Sequence, residues 1–224
     1  IDSMFIADVL GGGWNSPWEI WASLRQFTPS LALREQWENR LQWTSILKNF
    51  YEGKTKQSID LDWRRISHPT HKWATASILG LINKEEEPVG GVLFVMSKEP
   101  DDWCADGTDI KSWRRILPPS VAMEAYWMMF CTQLPWIEIV VGLPSQEQYL
   151  ETRIIRIHND PRMQESLFQA AKAWRENHLH NNRPPVIDGS RSCTSYLMDR
   201  FAFGSDELRE ATKKEENILL QYEE

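Results

Sequence analysis

Apolar residues recur along this chain at two spacings, roughly 3.6 and 2 residues, and the switches between them divide it into elements. Residues 5–11 are mostly apolar and end in Gly11-Gly12-Gly13, which predicts a short helix or turn followed by a break. Ser16-Pro17 then opens a helix through Trp18-Glu19-Ile20-Trp21-Ala22, with Ser16 as N-cap and Pro17 at the first helical position. Residues 35–51 place Trp37, Leu41, Trp43, Leu47, Phe50 and Tyr51 at mainly helical spacings, a second helix.

Strand character begins near Ser67. Trp73-Ala74-Thr75-Ala76-Ser77-Ile78 leads to Gly80, residues 83–88 form a hairpin turn, and Gly90-Gly91 precedes the unbroken apolar run Val92-Leu93-Phe94-Val95-Met96. Such a run belongs to a central strand buried on both faces. Residues 97–117 are polar and irregular, a loop. Pro118-Pro119-Ser120 opens a strong helix to about residue 133. Ile137–Gly142 is β-branched and apolar. Leu150–Ile157 pairs with it as a further strand, although Arg153 and Arg156 make its alternation imperfect. Pro161 starts an amphipathic helix to about His178, residues 181–190 form a loop, and residues 205–224 read as a charged helix. Helices, hairpin, helix, hairpin and helix in that order predict an α/β (α+β) domain with a mixed central sheet flanked by helices.

Composition narrows the class. The 224 residues suffice for one sizeable core, and 42% hydrophobic with 25% charged residues is a globular balance. No run of 18 apolar residues occurs, so no membrane span is expected, and no basic-then-apolar opening predicts a signal peptide. Cys104, Cys131 and Cys193 are odd in number, widely spaced and without a CxxC, which predicts neither a disulfide framework nor a zinc site and points to a reducing, cytoplasmic setting. The net charge of −7 argues against broad coating of DNA, though a local basic groove stays compatible with it. Most of the 12 Trp are expected in the core or at its edge, because an indole buries a large apolar area.

Seven stretches in order carry a resemblance: ADVLGGGWNSPWEIW, then HPTHKWATASILGLI with VGGVLFVMS, then LPPSVAMEAYWMMF, then WIEIVVG with RIIRIHND, and NNRPPVIDGS. Together they resemble, in order and spacing over most of residues 1–190, the lambda-exonuclease-like (YqaJ-type) recombination nucleases of phages. The resemblance implies a PD-(D/E)XK nuclease core over residues 1–190, with residues 191–224 as a C-terminal helical extension. It also implies Mg²⁺-dependent hydrolysis of DNA, in which carboxylates hold the ion and a lysine polarises the nucleophile.

Those side chains are missing from the matching positions. The family has an Asp in an ASIDG-like turn, where this chain reads Ala76-Ser77-Ile78-Leu79-Gly80, so Leu79 takes the place of the Asp. On the next strand the family has Glu-x-Lys, and here Phe94 replaces the Glu and Met96 the Lys. In the upstream helix, Trp43-Thr44-Ser45-Ile46-Leu47-Lys48 puts Lys48 at the position of a Glu. Met4-Phe5 stands where the first helix often carries Ser-Asp, and Glu124 where the central helix has a Gln. Leu79, Phe94 and Met96 offer no hard oxygen ligand and no ammonium. They are expected to fill the former site, each gaining roughly 1.5–3 kcal/mol if fully buried. The resemblance with these losses predicts no catalytic residue, no metal and no cofactor.

Other residues also offer candidate chemistry. Asp101, Asp102, Asp106 and Asp109 lie in a segment faintly like a calcium loop, but the twelfth position is Trp113 rather than Glu, so a solvated acidic loop is expected. His68 and His71 lack a Cys or acidic companion and are expected in a turn or at the surface. Arg64, Arg65, Lys72, Arg114, Arg115, Arg153 and Arg156 are the candidate DNA-binding patch, if they share one face.

Three functions follow as expectations. The first is a nuclease-fold protein without hydrolysis, retained to bind a protein partner and/or duplex DNA in phage-type recombination, replication or defence. By resemblance it acts beside a single-strand annealing protein and forms a homo-oligomer, a trimer. The second is an active Mg²⁺-dependent exonuclease with relocated carboxylates from Asp101, Asp102, Asp106 or Glu124. The third is a structural subunit or inhibitor whose acidic surface mimics DNA.

Overall fold

The computed structural model describes residues 1–25, 31–84, 87–98, 102–110, 117–144 and 150–201. In chain order, α1 is Ile6–Val9, α2 Pro17–Leu24, α3 Leu31–Thr55, β1 Asp60–Ser67, β2 Thr75–Lys84, β3 Glu87–Met96 and β4 Asp109–Ile110. Then come α4 Pro119–Thr132, β5 Trp136–Pro144, β6 Leu150–His158, α5 Pro161–Trp174 and α6 Arg191–Phe201. The six strands form one mixed sheet in the order β1-β2-β3-β5-β6-β4. This is the mixed sheet flanked by helices that the sequence predicts.

Period-2 burial places the layers. On β3, Val92 and Phe94 face α3, where they pack with Leu47, Tyr51, Ile59 and Val140. Leu93 faces the other side, with Ile137, Ile139, Ile155 and Ile157 against α4. β3 is buried on both faces because α3 covers one side of the sheet and α4, in the crossover from β3 to its parallel neighbour β5, covers the other. α4 itself is buried through Ala122, Ala125, Tyr126, Trp127, Met128, Met129 and Cys131, which explains its near-continuous apolar sequence. It ends at Gln133, whose left-handed φ of 61° lets its N–H cap the carbonyl of Met129.

Three features depart from the sequence pattern. β1 begins at Asp60, well before Ser67. It lies at the edge of the sheet beside β2 alone and carries Arg64 and Arg65, so charge obscures its strand signal. The segment expected as a pure loop contains β4, which runs parallel to β6, while Gly107 N–H and Thr108 C=O bond Ile154 and Arg156. The helix opened by Pro161 stays α-helical to Trp174 and then continues as a π-helical stretch, Arg175–His180. Trp21 Nε1 donates to the carbonyl of His178 at 3.0 Å, and Arg25 bonds that of Leu179, which satisfies the widened end. Residues 205–224, expected to be helical, lie outside the described residues.

Both ends of the described chain are tied into the body. The Asp2 carboxylate accepts hydrogen bonds from the hydroxyls of Thr75 and Ser77, each at 3.0 Å, fixing the N-terminal turn to β2. Ser192 of α6 accepts from the Ser16 N–H at 3.1 Å and donates to Glu19, while Tyr196 meets Trp18 edge-on at 5.4 Å.

The sheet is tight where β3 passes β5. A Cβ at Gly90 would lie 2.3–2.5 Å from the ring carbons of Trp136. Gly90→Ala is therefore expected to destabilise the protein by about 1–3 kcal/mol through overpacking. Urea unfolding checks this as a lowered midpoint with unchanged slope.

Candidate functional site

A cavity of about 520 Å³ opens where β3 leaves the sheet, between α1, α3 and the first turn of α4. Phe94, Met96 and Leu47 line it from the sheet and α3, and Arg40 and Glu124 line it from α3 and α4. The cavity brings together five of the positions singled out by resemblance: Met4, Phe5, Phe94, Met96 and Glu124.

Strand alternation turns Phe94 toward α3, where it is 1% exposed and packed with Leu47, Tyr51 and Val140. Met96, two residues on, follows the same direction. It pairs with Gly142 on β5, and a Cβ there would lie 2.5 Å from Met96 Sδ and 2.9 Å from Leu47 Cδ2. The thioether thus occupies space that a side chain at 142 would need. Leu79 lies in β2, but its side chain is outside the described residues. Lys48 turns along its own helix to Glu52 at 2.8 Å, and that ion pair holds the Glu52 carboxyl below the usual carboxylate range. Lys48 does not line the cavity.

A divalent cation needs several oxygens. Phe94 and Met96 supply none, so the residues at these positions do not fit a Mg²⁺ ion. The carboxylates that do line the cavity are engaged. Glu124 Oε1 accepts from Arg40 Nη2 at 2.8 Å, while burial raises the Glu124 pKa against the pull of that arginine. Asp8 accepts from the backbone N–H of Asn15 at 3.0 Å and from its side-chain amide at 2.9 Å. Among the described residues, no group of three or more His, Cys, Asp or Glu is placed to hold a metal ion.

Asp8 and Trp14 are site residues that the sequence pattern does not flag. Asp8 sits inside a short apolar helix, and the glycines that follow it have a steric function. A Cβ at Gly13 would fall 1.8 Å from Asp8 Oδ1, so only glycine lets the chain close over the carboxylate. This closure presents Trp14 at the cavity mouth, 82% exposed, and Trp43, 37% exposed, also lines the cavity. The available signal was the juxtaposition of three glycines with Trp14-Asn15.

Among the described candidate basic residues, Arg153 and Arg156 do not share one face. Arg153 and Arg156 are three apart on β6 and project to opposite sides of the sheet. Arg153 bonds Glu151 at 2.6 Å and the carbonyl of Trp103 at 3.0 Å. Arg156 makes two bonds to the buried Glu138, at 2.6 and 3.1 Å, and lies 4.2 Å over the Trp136 ring. Glu138 also accepts from the Tyr51 hydroxyl. Arg65 pairs with Asp2 at 3.4 Å and bonds Thr75. Arg64 and Lys72 are exposed, and Arg114 and Arg115 lie outside the described residues.

The acidic segment and the histidines have local partners. Asp106 accepts the Ile154 N–H at 2.8 Å and pairs with Lys54, and Asp109 meets His158 at 2.6 Å. Asp102 is exposed, and Asp101 lies outside the described residues. His68 stacks on Phe130 at 4.3 Å, and His71 lies 4.5 Å from Phe168. His68 Nδ1 accepts the N–H groups of Thr70 and His71, so the pair organises a turn against an aromatic cluster.

No protein-family model matches the chain, and no curated protein sequence matches it. Among solved structures it is similar to an alkaline exonuclease, LHK-Exo, from Laribacter hongkongensis. The TM-score is 0.54 at 14% identity, over 90% of this chain and 92% of the other. It is likewise similar to LHK-Exo in complex with dAMP, with a TM-score of 0.58 at 15% identity, over 90% and 93%. The shared property is the fold of an exonuclease.

Burial pushes the Asp8 carboxyl up to about 6, only partly opposed by its bonds from Asn15. Its folded pKa lies above its unfolded value, so the folded state binds the extra proton between the two. Stability from this group is then full below about pH 4 and declines as pH rises toward 6, by about 3 kcal/mol. The difference in unfolding free energy between wild type and Asp8→Asn, measured from pH 4 to 7, is expected to show that decline.

Proposed function

We propose that this chain is a nuclease-fold protein that does not hydrolyse DNA and keeps its cleft for binding. The single observation that supports this reading is Phe94, sealed between α3 and β3 at the position where the resemblance puts a metal-binding Glu, with Met96 at that of the lysine. A phosphodiester is a poor electrophile whose hydrolysis needs its developing charge neutralised. An aromatic ring and a thioether at these positions provide neither an ion site nor a cation.

The bound partner is a protein and/or duplex DNA. Net charge of −7 and the internal engagement of Arg153 and Arg156 favour a protein. The exposed Lys72 leaves a phosphate contact open. The resemblance sets the protein inside a phage-bearing bacterial cell, in recombination, replication or defence, with no cofactor and as a possible trimer. The domain over residues 1–190 carries the nuclease fold in this reading, with residues 191–224 appended.

Purified protein incubated with linear duplex DNA in Mg²⁺ or Mn²⁺ is expected to release no more nucleotide than an EDTA control. Metal-dependent degradation that disappears with Glu124→Gln or Asp8→Asn sinks the reading and favours relocated carboxylates. A salt titration of duplex binding separates the partners. A linear fall of log affinity with log salt assigns the role to phosphate contacts, and no binding at low salt assigns it to a protein.

A further inference from the structure

The cavity at the end of β3 has three parts of different chemistry. Its floor is apolar, made by Phe94, Met96 and Leu47. Its mouth carries the two indoles of Trp14 and Trp43. Its wall holds the half-buried pair of Arg40 and Glu124, joined by one bond of 2.8 Å between Nη2 and Oε1. That bond leaves Oε2 of the carboxylate and further guanidinium N–H groups for a ligand.

Charge restricts what fits. Arg40 is neutralised by Glu124, and Asp8 adds a second carboxylate. The other cation among the described lining residues is Lys98, exposed at the rim. A phosphate or carboxylate drawn in past Lys98 would meet no cation besides the paired Arg40 and an apolar floor, so its desolvation would go largely unrepaid. A flat, uncharged ring meets the opposite conditions. Its faces are matched by indoles and apolar side chains, and stacking on an exposed Trp buries area that is now wet. A volume of about 520 Å³ holds a bicyclic ring with room to spare.

The Arg–Glu pair also selects the ring's edge. A guanidinium donates and a carboxylate accepts, so the matching edge has a carbonyl beside a ring N–H. We propose that this cavity binds a neutral planar heteroaromatic ring with such a lactam edge, the chemistry of an oxopurine. Arg40 donates to the ring carbonyl, Glu124 accepts from the ring N–H, and Trp14 closes over the exposed face. This rests on the non-hydrolytic reading above for one point, the apolar floor.

Calorimetric titration of the purified chain in EDTA with guanosine, adenosine and inorganic phosphate tests it. Guanosine is expected to bind saturably and adenosine at least about tenfold more weakly, because its edge presents a donor where the carbonyl should be. Phosphate is expected neither to bind nor to displace guanosine. Trp14→Ala, at an exposed position that leaves the core intact, is expected to weaken guanosine binding about tenfold, and Trp14→Phe to restore most of it. Glu124→Gln is expected to erase the preference for guanosine. Absence of saturable guanosine binding, displacement by phosphate, or an unchanged affinity in Trp14→Ala overturns the proposal. Metal-dependent nuclease activity in the separate assay sinks the non-hydrolytic reading instead, and EDTA keeps the two outcomes apart.

Discussion

The contact between α3 and the end of β3 is the constraint on which the site depends. Phe94 packs with Leu47 and Tyr51 of α3 and Val140 of β5, and Met96 is seated over Gly142 beside Leu47. This is ordinary core packing, worth about 1.5–3 kcal/mol for each large side chain removed from water. Its position gives it consequence. It joins the sheet to its covering helix at the place where the resemblance to the nucleases puts a carboxylate and a lysine. A charged pair there would incur desolvation on both members, whereas an aromatic ring and a thioether fill the space with none.

What remains polar around the cavity is arranged in closed local sets. Asp8 is held by both nitrogens of Asn15, and Glu124 by Arg40. On the far strands, Arg156 is tied to Glu138 and Arg153 to backbone carbonyls and Glu151. Asp8 is satisfied within seven residues, Arg156 across one strand pair, and Glu124 by an arginine of a neighbouring helix, and such pairing is how a low-dielectric interior tolerates charge. The surface left at the mouth is then set by Trp14 and Trp43 rather than by charge. The likeness to an alkaline exonuclease is one of fold, and a shared fold leaves the chemistry to these side chains.

The chain's own pattern determined a good deal. The apolar run Val92–Met96 announced a strand buried on both faces, Pro118-Pro119-Ser120 announced α4, and the β-branched stretches around Ile139 and Ile155 announced a pair of strands. Each rests on local periodicity, which survives in one dimension. That Phe94 and Met96 carry neither a hard oxygen ligand nor a charge was visible for the same reason, since residue type is written in the sequence. β1 was not visible, because its alternation Asp60-Leu61-Asp62-Trp63 spans only four residues before Arg64-Arg65 interrupts it.

Tertiary structure alone decided which residues meet. Asp8 and Glu124 are far apart in sequence and share one cavity, while Arg153 and Arg156 are three apart and face opposite sides of a sheet. Whether Trp14 is core or surface turned on how Gly13 lets the chain close over Asp8, a clearance of a few ångströms that no spacing encodes. Periodicity reports which face of its own element a side chain takes. The neighbours across that face come from the packing of whole elements, and those neighbours set charge, burial and the room left for a ligand.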